Sequence, residues 1–204
     1  DPGDVWSILA LAEVERRQGH YDEAEKLLGR NPNDHGPTIA ARAEIVLQKK
    51  GADEALAVMD AAPDPWDHAF DAARGRIALS RRDGKAAVAY LTEADRAEPG
   101  RRGIVSDLGK AYLAAGDPAR AKPLLDRAGR IDALNDLLLK SEGKFDRPEP
   151  DRWRALATAC EEAGRFHEAK AWLNLLLKLD PLDSEIQGRL YRVDHRIESE
   201  RIVD

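Results

Sequence analysis

The chain has 204 residues, 43% hydrophobic, 34% charged and only 5% aromatic, with a formal net charge of −6 and one cysteine. The acidic balance argues against a broad nucleic-acid footprint, and a lone Cys excludes an internal disulfide framework and any multi-cysteine zinc site. No apolar run approaches the ~18 residues that a membrane span needs, and no charged start followed by an apolar segment marks a signal peptide. The first residue is Asp1, with no Met, so a fragment, a processed form or an excised domain is expected.

Ala is roughly one residue in six and β-branched residues are few, which is a helix-forming composition. Apolar residues recur at helical intervals, as at Ile104, Val105, Leu108, Ala111, Tyr112 and Ala115. No segment alternates for long enough to make a strand, so the fold is expected to be all-α. In chain order, a first helical hairpin is expected within residues 5–35 (Ile8, Leu11, Ala12, Gly19, Tyr21, Ala24, Leu28). A second falls within 36–67 (Ile39, Ala43, Val46, Gly51, Ala55, Met59, Ala62) and a third within 68–101 (Gly75, Ala78, Ala87, Leu91, Ala94, Pro99). The fourth, 102–128, carries Leu108, Gly109, Tyr112, Gly116, Ala121, Leu125 and Ala128.

Residues 129–149 break the period. Ile131, Leu134, Leu137 and Leu138 predict one short helix packed inward, Gly143 and Phe145 echo a hairpin turn, and Pro148 and Pro150 block a second helix. This half-repeat is expected to end in a surface loop from Gly143 to Pro150. A fifth hairpin follows at 150–183, with Trp153, Leu156, Ala157, Gly164, Phe166, Ala169, Leu173 and Pro181. A last helix, 184–200, starts with Ser184 and Gln187 at capping-box spacing and carries an Ile186, Leu190, Val193, Ile197 stripe. Gly19, Gly51, Gly84, Gly116, Gly143 and Gly164 read as helix C-caps. Asp22 with Glu25, and Asp117 with Pro118, read as helix starts.

The segments starting at 68 and 102 lie 34 residues apart, and 102–135 and 150–183 repeat a large residue, Leu with Gly or Ala, small residues and Pro at matching offsets. This pattern resembles the tetratricopeptide repeat, whose period is 34, over about nine-tenths of the chain. The resemblance implies a right-handed α-solenoid of five hairpins, one half-repeat and a C-terminal capping helix that covers the exposed apolar end. It implies structural contacts through small residues: Ala12, Ala43, Gly75, Gly109 and Ala157 in first helices, and Ala24, Ala55, Ala87, Ala121 and Ala169 in second helices.

The resemblance also places a concave face along the first helices. In this register the face holds Trp6, Leu9, Glu13 and Arg16, then Ala40, Ala41, Glu44 and Gln48, then Ala72, Ala73, Arg76 and Ser80. Asp107, Lys110 and Ala114 follow, and Arg154, Thr158 and Glu161 end it. The candidate partner-binding residues are Glu13, Arg16, Glu44, Gln48, Arg76, Ser80, Asp107, Lys110, Arg154, Thr158 and Glu161. They would meet an extended or helical peptide. Some co-chaperones of the family grip a C-terminal carboxylate with a Lys, Asn and Arg cluster. The corresponding Leu9, Glu13, Ala41 and Ala69, or Ala40, Glu44, Ala73 and Gly103, supply no such cluster.

His20, His35, His68, His167 and His195 have no partner at zinc spacing, and Cys160 sits at a core position of its helix. The pairs Arg16-Arg17, Arg81-Arg82 and Arg101-Arg102 read as solvated ends of helices rather than nucleic-acid contacts. No catalytic residue, cofactor or metal is therefore expected. The expected function is a non-enzymatic, soluble scaffold for a protein or peptide partner, without nucleic acid or membrane insertion. The alternatives are the recruiting arm of a larger enzyme or secretion protein, and association of copies through the solenoid ends. The compartment stays open.

Overall fold

Helix boundaries follow from short polar caps and glycine-tolerant turns. The Asp4 side chain accepts a hydrogen bond from the Ser7 N–H at 3.1 Å and starts α1 (Val5–Gln18). The helices that follow are α2 (Tyr21–Gly29), α3 (Gly36–Lys49), α4 (Ala52–Asp60), α5 (Asp71–Ser80), α6 (Gly84–Ala97) and α7 (Arg102–Ala114). Then come α8 (Pro118–Ser141), α9 (Pro150–Ala163), α10 (Phe166–Leu179) and α11 (Ser184–Ile202), and a 3-10 turn, His68–Phe70, precedes α5. The computed structural model describes residues 4–30, 36–63, 68–141 and 148–202, and among these no strand occurs. Gly143 and Phe145, and likewise Pro32 and His35, lie outside the described residues. The chain divides into two units, residues 1–122 and 123–204, with the division inside α8.

Four of the described hairpin turns share one geometry, whereas in the α3–α4 turn Gly51, at φ 120°, is itself the donor, to Val46 at 3.2 Å. The His20, Asp83, Asp117 and Arg165 N–H groups reach back five residues to the carbonyls of Glu15, Ala78, Tyr112 and Cys160, at 2.8–2.9 Å. This closes each helix and needs one residue of positive φ just before the donor. Gly19, Gly116 and Gly164 supply it, but in the third turn Arg82 does, at φ 61°. Gly84, expected as that cap, instead opens α6. A Cβ there would stand 2.3 Å from Ala115 N and 2.5 Å from the Ala114 carbonyl carbon, so glycine is what lets α6 start against the end of α7.

In unit 1, α1 pairs with α2, α3 with α4 and α5 with α6. Ile8, Ala12, Ala24, Leu28 and Ile45 form one core cluster, and Ile39, Ala43, Ala55, Met59, Phe70, Ala73 and Ile77 form the next. Alanine makes close packing possible, and Ala24, Ala43, Ala55, Ala87 and Ala121 are wholly buried. Gly75 belongs to the same set, since a Cβ on it would lie 2.4 Å from Leu91 Cγ.

In unit 2, Ile131, Leu134, Leu156, Ala157, Cys160, Leu173, Leu176, Ile186 and Val193 share one cluster. The short helix expected near 131–139 is the second half of α8, which runs unbroken for 24 residues. Ala128, Ile131 and Leu134 continue one buried stripe through Gly129, so nothing stops the helix at 128. Leu134 is buried and Leu137 packs half-buried against the cluster, while Leu138 turns past the stripe and is exposed. Two caps also differ from expectation. Asp183, not Ser184, caps α11 by accepting from the Glu185 and Ile186 N–H groups, both at 3.1 Å. Asp22 and Glu25 both take Lys49, at 2.8 and 2.6 Å, while α2 begins at Tyr21 with no side-chain cap.

Candidate functional site

The first helices of unit 1 carry charged side chains at one recurring position. Counting back from the shared turn, Glu13, Glu44, Arg76 and Lys110 occupy that position on α1, α3, α5 and α7, and the structure links them into a row. Arg16 donates to both Glu13 oxygens, at 2.7 and 2.8 Å, and Arg17 donates to Glu13 at 2.6 Å. Arg16 also lies 3.5 Å from Glu44. Arg76 then bridges two helices, pairing with Glu44 of α3 and donating to Asp107 of α7 at 2.8 Å. Lys110 ends the row on Asp107 at 2.9 Å.

The inner members are the carboxylates. Glu44 and Asp107 are 13% and 16% exposed at the side chain, whereas Lys110 is 57% exposed. Fully exposed pairs contribute only ~0.2–1 kcal/mol. Removing Arg76 would do more, because two shielded carboxylates would face each other without their shared cation. Protonation states follow. Burial would raise Glu13, but the hydrogen bonds from Arg16 and Arg17 overcome it and hold the carboxyl at about 2. Desolvation would lower Arg76, and Glu44 with Asp107 more than offset it, so its pKa is raised. The hydrogen bond to Glu13 raises Arg16 as well.

Six of the eleven candidate residues, Glu13, Arg16, Glu44, Arg76, Asp107 and Lys110, are thus brought together. Gln48 and Ser80 are exposed on α3 and α5 outside that row. Ala40 and Ala73, expected on the same face, are buried in the core. The remaining three candidates form a separate network in unit 2. Arg154 donates to Asp183 at 2.9 Å, and Arg189 of α11 donates to Glu161 at 3.0 Å and to the Thr158 hydroxyl at 2.9 Å. The Ile186 N–H, joined by Arg154, keeps Asp183 below the usual carboxylate range despite some desolvation. Sequence reasoning missed Asp183 and Arg189 here. Their signal is a spacing of about one repeat from Arg154 and Glu161, visible only once α11 is seen to continue the stack.

Nothing in these networks is arranged as a nucleophile beside a base. The Cys160 thiol is pushed up to about 11 by burial, so it stays protonated at neutral pH and is a poor nucleophile. Among the described residues no group of three His, Cys, Asp or Glu side chains could hold a metal ion, and no helix is long and apolar enough to cross a membrane.

Paired helices closing on a shared turn, with their charges answering one another between neighbours, define a helical-repeat protein. Tetratricopeptide repeat family profiles match residues 5–30, 78–141 and 150–193, and the chain belongs to the tetratricopeptide repeat family. Members of this family act as protein-interaction scaffolds and are generally non-catalytic. The cellulose synthase operon protein C of Pseudomonas fluorescens (strain SBW25) is 29% identical over 140 residues, 62% of this chain. The chain spans only 11% of that protein's length. Among solved structures, PilW, a widely conserved type IV pilus biogenesis factor, matches with a TM-score of 0.47 and 16% identity over 93% of this chain and 84% of its own. A thermophilic tetratricopeptide repeat protein of Thermus thermophilus matches with a TM-score of 0.44 and 20% identity over 92% of this chain and 97% of its own.

Proposed function

We propose that unit 1 binds an extended or helical peptide of a partner protein along the face formed by α1, α3, α5 and α7. The observation that supports this is the row from Glu13 to Lys110, which crosses four successive first helices beside exposed Gln48 and Ser80. The row holds its own side chains in fixed orientation, so a partner meets preset donors and acceptors with less ordering cost. Lys110, Gln48 and Ser80 can hydrogen-bond a peptide without breaking an inter-helix pair. In unit 2, Arg154, Thr158 and Glu161 hold α11, so the partner face is assigned to unit 1.

Charge reversal of Arg76 is unsuited as a test, because it would set a third carboxylate between Glu44 and Asp107. The suitable variant combines Gln48→Ala, Ser80→Arg and Lys110→Ala, all at exposed or row-ending positions. Peptides selected by display against the parent should lose at least tenfold in affinity by calorimetry, with the melting temperature held. Selected peptides that bind the triple variant as well as the parent would refute the assignment.

A second reading is favoured by the match to a protein of which this chain spans 11%. In it, the same face recruits a partner or substrate to an active domain elsewhere in a longer chain. Flanking sequence that encodes an enzyme would support this reading, and flanks made only of further repeats would refute it.

A further inference from the structure

Four residues before the turn donor, α3, α5 and α7 carry Leu47, Leu79 and Leu113, where α1 has Arg16. This position is one helical turn from the charged row, on the same side of each helix. Leu47 and Leu79 are half-buried and Leu113 is 51% exposed. Leu47 rests on a core cluster, whereas Leu79 and Leu113 pack into none of the three clusters, so covering the core does not explain them. Three residues further on, Lys50 and Arg82 are exposed beside Leu47 and Leu79, and neither pairs with a carboxylate among the described residues. Asp53 and Asp83, which follow those turns, are already engaged, by Arg81 and by the Ala86 N–H at 3.0 Å. A chain with a net charge of −6 thus presents cations along the edge of an apolar band.

We propose that this band receives an internal acidic segment of the partner, extended as polyproline II with an apolar side chain at every third position. The inference rests on the reading that α1, α3, α5 and α7 form the peptide face, and it narrows that face to one kind of peptide. Spacing selects the conformation. Neighbouring packed helices lie about 8–10 Å apart, and three residues of polyproline II advance ~9.3 Å and return to the same side. A β-strand returns to one side every ~6.7 Å, and an α-helix would set only about one side chain in seven on the leucines. Charge selects the composition. Acidic side chains a third of a turn from the apolar ones meet Lys50 and Arg82. Single-stranded nucleic acid is the poorer fit, because the band offers leucine where bases need aromatic faces.

The probe is a decapeptide of three Glu-Leu-Pro triplets and a final Glu, with fluorescein on its N-terminus and an amidated C-terminus. Fluorescence anisotropy against the 204-residue chain should give a Kd of about 100 µM or tighter at low salt, weakening as salt rises. Lys50→Gln with Arg82→Asn should weaken binding at least tenfold, and Asn tolerates the φ of 61° held by Arg82. Leu113→Gln should weaken it at least fivefold, and both variants should keep the parent melting curve. Changing every Leu of the probe to Ser, or every Glu to Lys, should abolish binding. No binding by the parent overturns the proposal. So does equal binding by either variant or either altered probe, or displacement of the probe by an equal concentration of oligouridylate. Display-selected peptides that depend on Gln48, Ser80 and Lys110 yet lack the acidic, every-third-apolar pattern would overturn this inference and leave the peptide face standing. Selected peptides indifferent to those three residues would refute both.

Discussion

Gly84 and Gly129 receive the same substitution with opposite results. At Gly84 the new Cβ would lie 2.3 Å from Ala115 N and 2.5 Å from the Ala114 carbonyl carbon. Both are backbone atoms, so no rotamer change can relieve the clash, and the start of α6 must back away from the end of α7. Overpacking of this kind costs about 1–3 kcal/mol, and a backbone obstacle puts Gly84→Ala at the upper end, about 2–3 kcal/mol. At Gly129, inside α8, nothing lies within 4 Å of the added methyl. Only the helix propensity changes there, and Gly129→Ala stabilises by about 0.5–1 kcal/mol. With about 2–4 °C per kcal/mol for a chain of this size, Gly84→Ala should melt about 4–12 °C lower and Gly129→Ala about 1–4 °C higher, followed by circular dichroism at 222 nm. A Gly84→Ala protein as stable as the parent, or a Gly129→Ala protein less stable, would refute the packing argument.

Glu13 gives a pH prediction. Its folded pKa of about 2 lies below the ordinary 4.5, so its contribution is present above about pH 4.5 and is lost as pH falls toward 2. The full shift corresponds to at most ~3 kcal/mol, and a side chain still 29% exposed reduces this to about 1–2 kcal/mol. Glu13→Gln should flatten the fall in stability between those pH values, and parallel curves for parent and variant would contradict it. Leu134, 1% exposed, and Leu138, 37% exposed, separate the two sides of α8. Leu134→Asp should cost about 3 kcal/mol or more in urea unfolding, Leu138→Asp less than about 1 kcal/mol, and equal costs would count against the assigned stripe.

Much of the packing was legible in the sequence because it rests on residue size at fixed intervals. Ala24, Ala55, Ala87 and Gly75 recur where helices touch, and any larger side chain there would collide. Asp117 before Pro118 was legible for the same local reason, and its carboxylate does accept from the Arg120 N–H at 3.0 Å. The extent of α8 was not, since the boundary at 128 came from the repeat period alone and no residue there stops a helix. Arg82 hid behind Gly84, because glycine signals both positive φ and close approach, and only the second applies. In the candidate site, the register put Glu13, Glu44, Arg76 and Lys110 on one face. That Arg76 pairs with both Glu44 and Asp107 depends on side-chain reach between helices 31 to 32 residues apart, which spacing along the chain does not encode.

The row of alternating charge has a consequence for how such a chain can evolve. Apolar contacts between repeats are interchangeable, so unequal crossover can duplicate or drop a unit with little penalty. Here α3 contributes only Glu44 to the row and α5 only Arg76, each a sign that suits its present neighbours. Excising the hairpin that holds Glu44 would bring Arg16 toward Arg76, cation against cation, and duplicating the one that holds Arg76 would do the same to its two copies. Asp107 would gain nothing from either event. The order of hairpins in unit 1 is thus written in charge as well as in length, and recombinants that shuffle them should fold less well than the near-uniform apolar core suggests.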